Sequence, residues 1–224
     1  MAEIKLKTEI EKFTVSVILT IYNRKGFITR VIDSVLNQTY KDYELIIVDD
    51  GSTDNVEEIL FPILKEHRNF KYIRHSNRKT AYSLNTGILN AAGKYITFLD
   101  SDDEYKKEHL KTRVNFFKDH KKVDLIYSSA TLVGDEKDFF VPDARDTSKK
   151  IHINDCVIGA TFFGKKKVFT VLGGFKDMYS YDSDFYKRAK KTFKVKKIDV
   201  PTYVYYRNHP DSVINQFSNL LSDE

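Results

Sequence analysis

The stretch VSVILTIYNRKGFITRVIDSVLNQTYKDYELIIVDDGSTD, Val15–Asp54, decides the fold. It opens on Val15–Tyr22, a β-branched apolar run of the kind that forms a strand buried on both faces. Asn23-Arg24-Lys25-Gly26 breaks that run. Ile28, Val31, Ile32, Val35 and Leu36 then recur at helical spacing and make one apolar stripe. Tyr43–Val48 is a second buried strand, ending at Asp49-Asp50-Gly51-Ser52. Strand, helix and strand at this spacing predict a right-handed βαβ unit and a parallel sheet.

Outward from this unit the alternation continues. Ser52 or Thr53 is placed to cap a helix through Leu64, with Pro62 marking a break or kink near its end. Phe70–His75 predicts a short third strand. Ala81–Ala92 predicts a helix with Leu84, Ile88 and Ala92 on one face and Gly93 as its stop. Tyr95–Leu99 predicts a fourth strand, and Leu110, Val114 and Phe117 the following helix. The second half is less regular. Leu125–Val133 predicts a strand, Gly134–Lys150 a charged surface loop and Ala160–Gly164 a strand. Lys165–Leu172 and Asp182–Lys191 predict helices, the latter with Phe185 and Ala189 inward. Lys194–Tyr206 predicts one or two strands around Pro201. No repeat or linker divides the chain, so its 224 residues predict a single α/β domain.

Composition narrows the function classes. Hydrophobic residues at 41% exclude a disordered chain, and the longest stretch without a charge, Thr80–Gly93, is too short and polar to span a bilayer. The N-terminal segment lacks the apolar block of a signal peptide. A single cysteine, Cys156, excludes an internal disulfide and a Cys-rich zinc site. It predicts a small buried hydrophobe in a reducing, cytoplasmic setting. The net charge of +5 is carried by dispersed lysines, and no nucleic-acid motif is present.

Ligands of parallel sheets bind beyond the carboxyl ends of the strands. Thr20, Tyr22 and Asn23 follow the first strand, Asp49 and Asp50 the second, and Asp100, Ser101 and Asp102 the fourth. Carboxylates gathered on one edge repel each other unless a cation or hydrogen-bond donors balance them. Asp100-Ser101-Asp102 at a strand end is suited to bridging a divalent cation and a diphosphate, or else forms an acidic turn. Asp103 and Glu104 read as caps of the following helix. Arg78 and Lys79 are surface cations or phosphate neutralisers. Asp182 opens a helix, as an N-cap and, held by helix N–H groups, also as an ionised base. His209 is a lone histidine with a structural or a ligand role.

Val15–Asp54 resembles the opening of glycosyltransferase family 2, and LNTGILNAAGKYITFLDSDD, Leu84–Asp103, resembles its second block. YDSDFYKR, Tyr181–Arg188, and YYRNHPDS, Tyr205–Ser212, are similar to its weaker third and fourth blocks. The resemblance implies a GT-A fold, Rossmann-like, with a mostly parallel central sheet flanked by helices and a small irregular acceptor-side region. A nucleotide-binding half would span about 14–103 and an acceptor-side half about 104–215. It implies an inverting transfer from a nucleotide-diphosphate sugar, with UDP foremost, onto a hydroxyl of a glycan or lipid-linked glycan. Carried over, Thr20, Tyr22 and Asp50 hold base and ribose, and Asn23, Arg78, Asn85 and Ser101 belong to the nucleotide-sugar site. Asp100 lies near ribose or donor sugar, Asp102 ligates Mn²⁺ or Mg²⁺, Asp182 is the catalytic base, and His209 lies on the metal or nucleotide side. The chain departs at Tyr181, where the family carries an acid, and at Ser83-Leu84-Asn85, where it carries Ala-Arg-Asn. Arg78 or Lys79 would then supply the missing cation.

Two further classes are compatible with an acidic sheet edge: a sugar nucleotidyltransferase and an idle nucleotide-sugar binding module. Ile21-Tyr22-Asn23-Arg24-Lys25-Gly26 lacks the Gly-rich, basic loop of the first. The chain ends soon after the fourth block, which leads us to expect a single-sugar transferase rather than a processive synthase. A lysine-rich surface would support peripheral attachment to the inner face of a membrane.

Overall fold

The computed structural model describes residues 13–207 except 144, 145 and 179. Its centre is β1 (Val15–Ile21), followed by α1 (Lys25–Leu36), β2 (Tyr43–Asp49), α2 (Glu57–Glu66), β3 (Phe70–Arg74), α3 (Lys79–Asn90) and β4 (Tyr95–Asp100). β5 (Glu104–Tyr105), α4 (His109–Asp119), β6 (Leu125–Ser128), β7 (Thr131–Val133), β8 (Phe140–Asp143) and β9 (Asp146–His152) come next. β10 (Phe163–Lys165), α5 (Lys166–Val171), α6 (Tyr181–Thr192), β11 (Val195–Ile198) and β12 (Tyr203–Tyr206) complete the described chain.

The main sheet has the strand order β11-β6-β10-β4-β1-β2-β3, and β10 is its one strand antiparallel to both neighbours. Period-two alternation explains its two cores. Val15, Val17, Leu19 and Ile21 of β1 face one cluster with Ile28, Val31, Ile32 and Val35 of α1 and with Leu110, Val114 and Phe117 of α4. Ile18 faces the other, with Leu84 and Ile88 of α3, Phe169 of α5, and Phe185 and Ala189 of α6. α3 lies so close that a Cβ at Gly87 would collide with Ile18. The chain moves outward through β2 and β3 and then returns to place β4 on the other side of β1. That reversal opens a crevice at the carboxyl ends of β1 and β4.

The expected strand–helix alternation is present from β1 to α4, with local differences. α2 starts at Glu57 and runs through Pro62, and neither Ser52 nor Thr53 caps it. Instead Ser52 Oγ accepts the Asn23 N–H at 3.0 Å. α3 ends at Asn90, so Ala92 lies outside it. Gly93 is needed for close approach, because a Cβ there would strike the Ser16 backbone. Leu125–Val133 is two strands in two sheets: β6 is in the main sheet, and β7 pairs with β12, which also pairs with β5. Most of the predicted loop 134–150 belongs instead to the antiparallel hairpin β8–β9, which runs on to His152. Cys156 is half-buried rather than buried.

A polar network fastens β12 beneath the crevice. Buried Arg113 donates to Thr202 Oγ1 at 2.6 Å and to Ser128 Oγ at 2.8 Å. Buried His109 stacks on Tyr105 with ring centroids 3.7 Å apart. Burial, with the Arg113 cation beside it, holds the His109 imidazole well below its ordinary value. The unfolded chain therefore takes up a proton below about pH 6.5 that the native state refuses, so this group makes stability fall as pH falls. Asp100, whose value is raised, acts in the opposite direction between about pH 4 and 7, so the informative quantity is a difference between proteins. His109→Phe keeps the stack and is expected to gain on wild type by up to ~1.4 kcal/mol per pH unit on acidification from pH 6.5 to 5. Urea unfolding at both pH values measures this, and a pH-independent difference would show that His109 titrates normally.

Candidate active site

Three strand ends and one helix terminus supply the site. In register, Thr20 of β1 lies between Val48 of β2 and Asp100 of β4. Tyr22 follows β1 and is 46% exposed. The chain turns sharply at Asn23, whose φ is 52°. Its Oδ1 accepts the Thr53 N–H at 2.7 Å, which locks the loop after β1 to the loop after β2.

Asp49 and Asp50 part company as strand alternation requires. Asp49 is fully buried, accepts the Ser52 N–H at 2.8 Å and the Tyr72 hydroxyl at 2.5 Å, and is committed to the fold. Asp50 is also buried, and on the opposite face it meets the start of α3. Its Oδ1 accepts the Arg78 N–H at 2.7 Å and lies 3.3 Å from His75 Nδ1. His75 carries no motif that marks it in the sequence. The Arg78 guanidinium lies 3.6 Å from the Tyr82 ring centroid. Lys79 has a φ of 67°, a left-handed backbone that costs on the order of 1–3 kcal/mol for a non-glycine residue. Arg78, Lys79 and Tyr82 line a cavity of about 380 Å³ together with Asn85, Phe175 and Asp177. The Asn85 side chain is engaged at both ends: Nδ2 donates to the Phe175 carbonyl and Oδ1 accepts its N–H, each at 2.8 Å. In this structure it fixes the loop before α6, a role the sequence does not reveal.

The turn after β4 is the acidic centre. Burial, with the charges of Asp102 and Asp182, pushes the Asp100 carboxyl up to about 7. Asp103 is buried and does not cap α4. Its two oxygens accept the Tyr203 hydroxyl at 2.7 Å and the Tyr206 N–H at 2.9 Å, tying the turn to β12. Nor does Glu104 cap; it lies in β5 and accepts the Tyr206 hydroxyl at 2.6 Å. Tyr203 also accepts the Asp100 N–H at 3.2 Å. Ser101 and Asp102 are half-buried, and their side chains make no hydrogen bond recorded among the described residues. Among the described residues nothing occupies the Asp102 carboxylate, which leaves it available there to an external ligand.

Asp182 arrives from α6 beneath a left-handed Ser180, whose φ is 57°. Its Oδ1 accepts the Ser183 N–H at 2.7 Å and its Oδ2 the Gly159 N–H at 3.3 Å. Only glycine fits at 159, because a Cβ there would collide with Asp182 Cβ. The N–H groups lower the carboxyl's value, as expected of a helix N-terminus, but burial outweighs them and the net shift is upward. Asp182 is therefore a stronger base than the sequence reading allows. Asp184 is paired with Arg188 Nε at 2.7 Å and with Lys176 at 3.6 Å and is held below the ordinary carboxylate range. Tyr181 packs edge-on against Phe175. His209 lies outside the described residues.

Among the described residues no three His, Cys, Asp or Glu side chains cluster as a self-sufficient metal site. Mg²⁺ and Mn²⁺ do not require one, since they commonly take one or two carboxylates and complete their shell with substrate phosphates and water. The Asp102 carboxylate, without a hydrogen-bond partner among the described residues and close to Asp100, fits that pattern, and a cation there would relieve the mutual repulsion of these acids.

A family model described as Glycosyl transferase family 2 matches residues 16–208. An uncharacterized glycosyltransferase of Rickettsia prowazekii (strain Madrid E) is 30% identical over 97% of this chain and 71% of its own length. One of Rickettsia felis is 40% identical over 54% of this chain, which spans 20% of that relative. Among solved structures, Staphylococcus aureus TarS residues 1–349 in complex with UDP-GlcNAc superposes with a TM-score of 0.70 at 21% identity, over 88% of this chain and 59% of that one. The mannosyltransferase PcManGT of Pyrobaculum calidifontis, in complex with GDP-Man and Mn²⁺, superposes with a TM-score of 0.69 at 20% identity, over 96% of this chain and 66% of that one. These likenesses carry the fold, a GT-A α/β architecture.

Proposed function

Because this chain belongs to glycosyltransferase family 2, we propose that it is an inverting enzyme that moves one sugar from a nucleotide-diphosphate sugar to an acceptor hydroxyl with Mn²⁺ or Mg²⁺. A UDP-sugar is the first donor to test, and the acceptor class is a glycan or lipid-linked glycan. The observation that carries this reading is that Asp182 lies near enough to Asp100 to raise its pKa, beside an Asp102 whose side chain has no hydrogen-bond partner among the described residues. Structural neighbours in complex with UDP-GlcNAc and with GDP-Man and Mn²⁺ support the donor class and the cation. Among the described residues no helix is long and apolar enough to cross a membrane.

Thr20, Tyr22 and Asp50 would hold base and ribose, and Arg78 would face the phosphates from the rim of the cavity. Asp100 and Ser101 would adjoin the ribose and donor sugar. Asp102, with His209 as a second candidate, would hold the cation, which as a Lewis acid stabilises negative charge developing on the departing diphosphate. Asp182 accepts the proton of the acceptor hydroxyl as that oxygen bonds to the anomeric carbon. The bond from that carbon to the diphosphate oxygen breaks on the opposite face, and the leaving group carries away the electron pair. Burial of Asp182 moves its pKa toward neutrality, where a general base is most effective. Much of the remaining acceleration comes from holding two substrates in line.

A thermal-shift series with nucleotide sugars, with and without Mn²⁺, tests the reading. A bound donor at 100 times its dissociation constant adds about 2.7 kcal/mol. No shift with any nucleotide sugar would refute it. The aspartates after β2 give a sharper contrast. Asp50→Ala should weaken nucleoside-diphosphate binding by about 1–3 kcal/mol, the usual loss for a charged hydrogen bond. Asp49→Ala should leave affinity nearly unchanged and instead lower the unfolding free energy, because it orphans the Ser52 N–H and the Tyr72 hydroxyl. Titration calorimetry and urea unfolding separate the two, and equal losses of affinity would contradict the geometry.

A further inference from the structure

We propose that Arg30 is a positioning residue for the cation site: by holding the Asp102 backbone carbonyl it aims the Asp102 carboxylate at the metal and the diphosphate. The inference rests on the reading of Asp102 as the metal ligand. Arg30 lies within the Val15–Asp54 stretch, but on helix α1 rather than at a strand end where the site acids lie. Its Nη2 donates to the Asp102 carbonyl at 2.6 Å, and its Nε lies 3.2 Å from Glu104 Oε1. Its guanidinium sits 4.1 Å from the Tyr206 ring centroid.

The turn needs this hold. It carries three carboxylates in four residues, and the charges of Asp102 and of its neighbours act on one another. Its own backbone contributes the Asp103 N–H to the Asp100 carbonyl at 3.2 Å. β12 grips the turn at its two ends, through Tyr203 on the Asp100 N–H and through Tyr203 and Tyr206 on the Asp103 carboxylate. Between those ends, Arg30 takes the carbonyl of Asp102 itself. A rotation of that peptide would swing the adjoining side chain away from the crevice. The guanidinium suits the task because one planar group hydrogen-bonds along its edge while its face lies on an aromatic ring. A lysine keeps the charge but cannot do both.

Mn²⁺ binding to the full chain, read from the free-ion signal by electron paramagnetic resonance with UDP or GDP present in excess, tests this. Arg30→Met and Arg30→Lys are each expected to weaken Mn²⁺ affinity by roughly ten-fold or more, in the range found for groups that orient metal ligands. Nucleotide affinity without Mn²⁺, and the thermal midpoint without ligand, should stay at wild-type values because Asp50 and the core are untouched. Wild-type Mn²⁺ affinity in both variants, or full recovery in Arg30→Lys, would overturn the proposal, the second by showing that charge alone matters. A fall in metal affinity that only tracks a fall in thermal midpoint would also overturn it. Failure of the underlying reading shows separately: Asp102→Ala would then bind Mn²⁺ like wild type, with Arg30 intact.

Discussion

Replacing Asp182 by Asn is expected to lower the transfer rate by roughly 10²-fold or more while donor affinity stays near wild type. The substitution preserves size and leaves one oxygen to accept the Ser183 N–H, now held at 2.7 Å. It removes the proton acceptor. It also turns an amide toward the Gly159 N–H, which loses its acceptor, so a stability cost of about 1 kcal/mol accompanies the change. That cost is too small to mimic the rate loss, and thermal unfolding measures it independently. Asp184→Asn supplies the contrast. Asp184 lies about 200° farther round the helix and faces Arg188 and Lys176, so its loss should leave the rate within a few-fold of wild type. Single-turnover measurement of nucleoside-diphosphate release with each variant decides. A full-rate Asp182→Asn enzyme would sink the assignment, and so would an inactive Asp184→Asn enzyme beside an active Asp182→Asn one.

Asp102→Ala is expected to abolish the Mn²⁺-dependent part of nucleotide binding and leave the fold intact. The fold should survive because the carboxylate has no recorded hydrogen bond among the described residues and the residue is half-buried. The contact from Arg30 goes to the main-chain carbonyl, which alanine retains. Removing this charge also relieves Asp100 and Asp103, whose values it raises, so the thermal midpoint without ligand should hold or rise. Calorimetric titration with UDP, with and without Mn²⁺, is the measurement. Undiminished metal-dependent binding would remove Asp102 from the site, and a collapsed thermal midpoint would reassign it to the fold.

What the sequence determined by itself was the parallel half of the sheet and the strand-end acids. The pattern of β1, α1, β2 and α3 is local, and both faces of β1 are buried, so its run of apolar residues admits one reading. Thr20, Asp50 and Asp100 follow from that placement, because a strand fixes which residues leave its carboxyl end. The division between Asp49 and Asp50 follows from alternation alone. Beyond β6 the signal weakened because the strands are short and their partners distant. Leu125–Val133 reads as one apolar run, yet the chain breaks where Ser128 N–H donates to Thr161 and Ala130 N–H donates to Asn154. The start of the helix was legible to within a residue, but Ser180 rather than Asp182 takes the cap position, and the Gly159 N–H that meets Asp182 and the burial that raises its pKa come from other elements. The caps assigned to Asp103 and Glu104 failed for the same reason: their hydrogen-bond partners, Tyr203 and Tyr206, are brought to them by β12. Arg30 carries no local mark at all, since its bond to Asp102 spans 72 residues of sequence. Local propensity specifies a side chain's face on its own strand or helix; which distant group meets that face is settled only when the whole core closes.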